Sequence, residues 1–76
     1  MNNPYIEQLY KNTDLAFYYI ERALRKNPNS IIIINDELVI NGITFNYAID
    51  YEYLKELCLI NKIDYLEEKN EIKKVL

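Results

Sequence analysis

The chain has 76 residues, a formal net charge of −3 from 12 acidic and 9 basic side chains, one cysteine and no histidine. A single domain is expected, without the paired cysteines of a disulfide scaffold or the usual ligands of a zinc site. A mildly acidic chain is also a poor nucleic-acid binder, because duplex affinity depends largely on clustered lysine and arginine.

The first block of the sequence predicts one helix over residues 4–26. Asn3 suits the capping position and Pro4 suits the first turn, and apolar side chains recur at three- and four-residue spacing along the block. Thr13 marks a weak point, where the helix can kink and a second segment can begin. Pro28 disfavours helical backbone at the residue before it, so we expect the helix to end there.

The second block predicts a three-stranded antiparallel meander over residues 31–34, 37–40 and 43–49. The first strand is β-branched throughout, and the third alternates apolar and polar side chains. Asn41-Gly42, between the second and third strands, is a strong signal for a two-residue hairpin turn. Because the connections are too short for a crossover, the sheet is expected to be antiparallel.

The register of this meander predicts which side chains share a face. If residues 35 and 36 also form a two-residue turn, one face belongs to the core. That face carries Ile31, Ile33, Leu38, Ile40, Ile43, Phe45 and Tyr47. The opposite face carries Ile32, Ile34, Val39 and Thr44. It is unusually apolar for a surface in water, so we expect a helix or a partner to cover it.

The third block predicts two further helices, over residues 51–60 and 65–75. Asp50 and Asp64 suit their capping positions. The expected fold is therefore a small single α+β domain of residues 1–76 in the order α-β-β-β-α-α, with a three-stranded antiparallel meander packed with helices.

No catalytic, cofactor-binding or metal-binding residues are predicted. The chain has one serine, Ser30, and two threonines, Thr13 and Thr44. No histidine is present to act as a base for their hydroxyl groups. Cys58 lies on the predicted inner side of a helix, where a cysteine usually acts as a small hydrophobic residue. A single glycine, Gly42, excludes a glycine-rich phosphate loop. We therefore expect a protein that is not an enzyme.

Tyrosine is the most informative residue type, with eight copies and no tryptophan. Tyrosine is enriched at protein interfaces because it offers a rigid surface with a polar tip. We define an acidic tyrosine strip by the residues Tyr47, Asp50, Tyr51, Glu52, Tyr53 and Glu56. The alternative is that these rings partly fill a thin core, since the abundant Ile, Asn, Lys and Tyr all have AT-rich codons.

A basic cluster of Arg22, Arg25 and Lys26 lies at the end of the first predicted helix. Cations at this position neutralise the helix dipole. The other interpretation is contact with a small anion or a nucleic acid.

These features favour a non-enzymatic protein–protein interaction module that binds a host protein or itself as a homodimer. The predicted contacts are the acidic tyrosine strip together with Ile32, Ile34 and Val39. Small acidic proteins with AT-rich codons are common among phage-encoded inhibitors of host machinery. In element order and acidity the chain resembles some small anti-CRISPR proteins, which implies an inhibitor that occupies a nucleic-acid groove.

Two other functions stay open at this point. One is a nucleic-acid-associated regulator that uses the basic cluster, and the other is a structural homo-oligomeric accessory protein. The first residues are polar and interrupted by Pro4, and apolar runs such as Ile31 to Ile34 are short. No secretion signal or membrane span is therefore expected, and a cytoplasmic location is predicted.

Overall fold

The computed structural model describes residues 3–74 of the chain, apart from the side chain of Glu68. The elements are α1 (Pro4–Lys26), β1 (Ile32–Ile34), β2 (Leu38–Ile40), β3 (Ile43–Thr44), α2 (Tyr51–Ile60), β4 (Ile63–Leu66), a 3-10 turn (Glu67–Lys69) and β5 (Glu71–Lys74). The five strands form one antiparallel sheet in the order β3-β2-β1-β5-β4. The chain is therefore a small α+β protein with two helices and a five-stranded sheet.

Helices α1 and α2 have the predicted bounds. The Asn3 side chain accepts hydrogen bonds from two backbone N–H groups in the first turn of α1, at 3.0 and 3.4 Å. The Asp50 side chain accepts one from the Tyr53 N–H at 3.1 Å in the first turn of α2. Capping of these otherwise unpaired donors explains why each helix begins where it does. The prediction of one continuous first helix is confirmed.

The Asn41-Gly42 turn between β2 and β3 is also confirmed. Ile40 pairs with Ile43 across it, and both turn residues have left-handed backbone, with φ of 49° at Asn41 and 82° at Gly42. The Asn41 side chain ties the turn to the start of the sheet. Its Oδ1 accepts a hydrogen bond from the Ile31 N–H at 2.8 Å, and its Nδ2 donates one to the Ser30 hydroxyl at 3.2 Å.

The prediction of a last helix over residues 65–75 is wrong. This segment forms β4, the 3-10 turn and β5, so the sheet has five strands rather than three. Ile63 and Tyr65 alternate along β4 and join Ile72 of β5 in the core. This period-two burial outweighs the helix-capping spacing that begins at Asp64. Val75, the last residue of the predicted helix, lies outside the described residues.

Strand β5 is stabilised by its position between β1 and β4. It pairs with β4 over four residues, and the Ile34 N–H donates a 2.7 Å hydrogen bond to the Asn70 carbonyl at its start. Asn70 itself has left-handed backbone, with φ of 53°, which closes the β4–β5 connection. A short helix would leave the backbone groups at this edge of β1 without partners, whereas the β4–β5 hairpin pairs with them.

The third predicted strand, over residues 43–49, is much shorter than expected. Regular pairing ends at Thr44, and one further hydrogen bond joins the Phe45 N–H to the Leu38 carbonyl at 2.8 Å. The chain then leaves the sheet for α1. There the Asn12 side chain donates to the Ala48 carbonyl at 2.9 Å.

The predicted faces of the meander are wrong for β1. Ile34 pairs with Leu38, so the connection has three residues instead of two, and the register shifts by one position. Because side chains alternate along a strand, this shift exchanges the two faces of β1. Ile32 is only 1% exposed and Ile34 packs against the core, whereas Ile33 lies on the opposite face. Val39 and Thr44 share that opposite face with Ile33.

The core lies between the helices and one face of the sheet. Ala16, Ile20 and Leu24 of α1 and Leu54 and Cys58 of α2 meet Ile32, Leu38, Ile63 and Ile72. The other face, which we call the outer sheet face, carries half-buried Ile33, Val39, Thr44, Leu66 and Glu71. No helix of residues 3–74 packs on it, so the structure has two layers.

A buried hydroxyl joins the two helices. Thr13 of α1 is fully buried, and its Oγ1 donates to the Leu9 carbonyl at 2.7 Å and accepts from the Asp50 N–H at 2.9 Å. Asp50 is the capping residue of α2, so this contact holds the start of α2 on the middle of α1.

We expect Gly42→Ala to lower the free energy of unfolding by about 1–2 kcal/mol, the usual cost of a left-handed residue with a Cβ. A Cβ at this position meets no atom within 4 Å, so the cost comes from the backbone alone. Gly42→Asn is the control and should cost less, because asparagine adopts this backbone more readily. Urea denaturation measures both, and an alanine variant as stable as wild type would contradict the turn geometry.

We expect Thr13→Val to lower the free energy of unfolding by about 1–3 kcal/mol, because the Asp50 N–H loses its acceptor. Valine keeps the branched shape, and the control Thr13→Ser keeps the hydroxyl. Amide hydrogen exchange at Asp50 should accelerate in Thr13→Val and stay slow in Thr13→Ser. Equal exchange in the two variants would show that the hydroxyl does not protect this amide.

Candidate functional site

A large open groove lies between the C-terminal half of α1 and the β2–β3 hairpin. It has a volume of about 540 Å³. We call it the hairpin groove and define it by Tyr19, Arg22 and Lys26 on α1 and by Ile40, Ile43, Thr44, Phe45 and Tyr47 on the hairpin and the residues after it. Its position follows from α1, which covers the middle of the sheet and leaves the hairpin tip uncovered.

The groove is walled by aromatic and aliphatic side chains. Tyr19 contacts Phe45 with ring centroids 6.3 Å apart, and Phe45 contacts Tyr47 at 5.5 Å, both nearly edge to face. Tyr18 extends this row outside the groove, 5.8 Å from Tyr19. Ile43 is 74% exposed and Tyr47 is 61% exposed, although Ile43 shares the helix-side face with the core residues. Such a continuous apolar surface beside a groove is typical of a binding site.

Arg22 and Lys26 form the cationic side of the groove. They lie four residues apart on α1, so both side chains project from the same side of the helix. No carboxylate of the described chain is within salt-bridge distance of either one. No acidic residue lines the groove. An acidic protein therefore has a local site suited to an anion.

The structure divides the predicted basic cluster. Arg25 projects from another side of α1, where its guanidinium is 3.3 Å from the Glu21 carboxylate. It does not line the hairpin groove. Only Arg22 and Lys26 therefore act together.

The residues of the acidic tyrosine strip have different local surroundings. Tyr47 belongs to the hairpin groove, Asp50 caps α2, and Tyr51 is half-buried against the core. Tyr53 turns toward α1, where its hydroxyl donates to Asp14 at 2.8 Å and its ring contacts Tyr10 at 4.9 Å. Glu52 and Glu56 are exposed on α2. A binding role for these residues stays a prediction.

A smaller acidic depression lies on the other side of the segment that follows β3. Its lining includes Asp36 and Glu37 of the β1–β2 connection with Tyr47 and Tyr51. Burial raises the pKa of Tyr51, and the nearby Glu37 and Asp36 carboxylates raise it further. The segment from Phe45 to Ile49 thus separates a cationic groove from an acidic one.

The two β1 residues of the predicted docking face lie on the helix side of the sheet. Ile32 is in the core, Ile34 packs against it, and only Val39 is on the outer sheet face. The hairpin groove was not predicted from the sequence. Its signal was the confirmed Asn41-Gly42 turn, which leaves Ile43 at an uncovered tip beside the tyrosines of α1.

The arrangement of side chains suits binding. No three His, Cys, Asp or Glu side chains of the described residues come close enough to hold a metal ion. Cys58 is fully buried, and burial raises the pKa of its thiol from 9.0 to about 12, so the thiol is protonated at neutral pH. Neither helix of residues 3–74 is long and apolar enough to cross a membrane.

We expect the free energy of unfolding to fall as the pH rises from about 9 to about 12. Burial raises the pKa of Tyr65 from 10.0 to about 12 and that of Cys58 from 9.0 to about 12. The unfolded chain releases these protons at lower pH than the folded chain, so alkali favours unfolding.

Urea denaturation across this pH range measures the effect, and Tyr65→Phe should make the decline shallower. Tyr5→Phe is the control, because Tyr5 is 70% exposed and its substitution should not change the decline. A decline that Tyr65→Phe leaves unchanged would contradict a contribution from the Tyr65 hydroxyl.

No protein-family model, curated protein or solved structure matches this chain. Its function is therefore inferred from the shape, charge and exposed side chains of the hairpin groove.

Proposed function

We propose that this protein is a non-enzymatic binding module that holds an acidic, partly apolar segment of another protein in the hairpin groove. The observation that carries the proposal is the pairing of an exposed apolar wall with two cations that have no carboxylate partner among the described residues. The partner supplies the missing negative charge and covers the apolar wall.

The apolar wall supplies the affinity. Ile43 and Tyr47 are 74% and 61% exposed, so each has much surface left to remove from water. Burial of apolar surface contributes roughly 25 cal/mol per Å². Aromatic side chains with a polar tip, such as Tyr19 and Tyr47, are enriched among the residues that dominate binding energy at interfaces.

The two cations supply the specificity. A carboxylate placed between Arg22 and Lys26 gains charge-assisted hydrogen bonds, whereas a cationic segment is repelled. The chain as a whole is acidic, with a net charge of −3, so charges elsewhere oppose nonspecific binding of acidic proteins. An acidic segment is therefore directed to the groove.

The outer sheet face suits a partner less well. Glu71 and Lys73 lie on it, with the Glu71 carboxylate 3.3 Å from the Lys73 ammonium. A partner that covered this face would have to remove both charges from water, which costs more than their attraction returns unless further hydrogen bonds form. Binding in the hairpin groove does not require an existing ion pair to be removed from water.

A nucleic-acid partner is also less well supported. Arg25, the third member of the basic cluster, is paired with Glu21 and lies outside the groove. Two cations beside an apolar wall match a protein segment better than a phosphate backbone, which needs several cations along its path. That the partner is a host protein, inhibited by a phage product, stays a prediction from composition and element order.

The proposal predicts that peptides selected for binding will be acidic and apolar. A displayed library of random peptides of about twelve residues is selected against the immobilised full chain, and the enriched peptide is synthesised. Its Kd is measured by calorimetry, and its position by amide chemical-shift changes. The changes should centre on Tyr19, Ile43 and Tyr47.

The double variant Arg22→Gln/Lys26→Gln should weaken this peptide about tenfold or more, since two partly exposed charge pairs contribute up to about 1 kcal/mol each. Arg25→Gln is the matched control and should leave the Kd within about threefold, because Arg25 is outside the groove. Ile43→Thr should also weaken binding, with little effect on stability.

Three results would contradict the proposal. They are a library without enriched peptides, shift changes on the outer sheet face, and equal effects of the Arg25 and Arg22/Lys26 substitutions. If an oligothymidine strand bound in the groove and this binding were lost as salt rises, the partner would be a nucleic acid rather than a protein segment.

A further inference from the structure

The edge strand β3 borders the hairpin groove and has unpaired backbone groups. The hydrogen bond from the Phe45 N–H to the Leu38 carbonyl, at 2.8 Å, makes these two residues a hydrogen-bonded pair. The adjacent pair, Thr44 with Val39, is then of the other kind, in which both residues point their N–H and C=O groups away from the partner strand. The backbone of Thr44 therefore points out of the sheet.

The open edge continues past the end of β3. No backbone hydrogen bond joins the N–H of Asn46 or Tyr47 to another residue within 3–74. No strand of the described chain lies beyond β3 in the sheet. An exposed edge with apolar side chains is a template for a further strand from another chain.

The groove lies where the side chains of such a strand would point. Ile40 and Ile43 pair across the turn and share the helix side of the sheet with Ile32. A strand added along β3 directs every second side chain to this helix side, and the others to the outer sheet face. Main-chain hydrogen bonds then provide affinity, and the groove selects the alternate side chains.

We infer that the captured segment binds as an additional β-strand along β3, with every second side chain in the hairpin groove. The inference rests on the proposed function and adds the mode of binding. One groove-facing side chain is a carboxylate opposite Arg22 and Lys26. Its neighbour two residues along is β-branched or aromatic and packs against Ile43 and Tyr47.

The opposite edge of the sheet is less suited to this mode. The depression beside β4 is lined by charges of both signs, from Glu21, Arg25, Lys62 and Lys74. Its apolar lining residues, Leu24 and Ile63, are buried, so it lacks the exposed apolar wall found beside β3.

A second copy of this chain is a poorer occupant than an acidic segment. Two β3 edges related by a two-fold axis would place Arg22 and Lys26 of both copies around one interface. Like charges placed together across an interface disfavour association. The complementary occupant carries carboxylates at this point.

The inference is tested with the full chain and the selected acidic peptide, made in two forms. Each form carries N-methyl groups at alternate backbone amides, in one of the two possible registers. Only one set of alternate amides faces β3 in an added strand, so one form should lose about tenfold or more in affinity and the other less than about threefold. Calorimetry measures both.

A variant of the protein tests the same hydrogen bonds from the other side. Thr44→Pro removes the N–H at an edge position, where proline is tolerated in sheets, and should weaken the peptide about tenfold. Thr44→Val is the matched control and keeps the N–H and the affinity. Thermal unfolding checks that each variant folds, and if the proline variant does not, the N-methyl peptides decide alone.

The outcomes separate the two proposals. If both N-methyl forms bind like the parent while Arg22→Gln/Lys26→Gln still weakens binding, the added strand is excluded and the proposed function stands. If the arginine and lysine substitutions have no effect, or no peptide is selected, both proposals fail. A dimer that dissociates on Ile43→Glu substitution would show that a second copy occupies the edge.

Discussion

The Thr13 hydroxyl accepts a 2.9 Å hydrogen bond from the Asp50 N–H inside the protein, and the course of the chain around the groove depends on this contact. It holds the start of α2 against the middle of α1. The chain must therefore leave the sheet soon after Thr44 to reach α1, and the Asn12 side chain holds it there through the Ala48 carbonyl. A longer third strand would extend along β2, whereas the short one leaves an open edge and an uncovered hairpin tip.

The early exit of the chain from the sheet after Thr44 also determines where the aromatic side chains of the groove lie. Phe45 and Tyr47 follow β3 directly and turn toward Tyr19 of α1, so the wall combines residues from α1 and from the segment after β3. The turn at Asn41 and Gly42 holds the other end, because Asn41 is tied to Ser30 and Ile31 near the end of α1. Both sides of the groove are thus fixed by polar contacts. A groove with fixed sides loses little entropy when a partner binds.

Local signals predicted the elements that have strong caps and turns. Asn3 and Asp50 begin the two helices at the predicted residues, and Asn41-Gly42 forms the predicted hairpin turn. The helix prediction for the last block was wrong because Asp64 favours a helix start locally, while pairing with β1 favours strands. The prediction of the β1 faces was wrong for a related reason. A two- and a three-residue connection at residues 35–37 are both compatible with the local residues, yet they expose opposite sides of the strand.

The sequence by itself determined the class of the protein: a small α+β chain with capped helices, a hairpin at Asn41-Gly42, a single cysteine and no histidine. Those properties depend on residue type and on spacing over a few positions. The tertiary structure decided which residues share a surface. It separated Arg25 from Arg22 and Lys26, and it joined Tyr19 to Ile43 and Tyr47. These contacts link residues far apart in the chain, and they follow from strand register and from where the chain leaves the sheet.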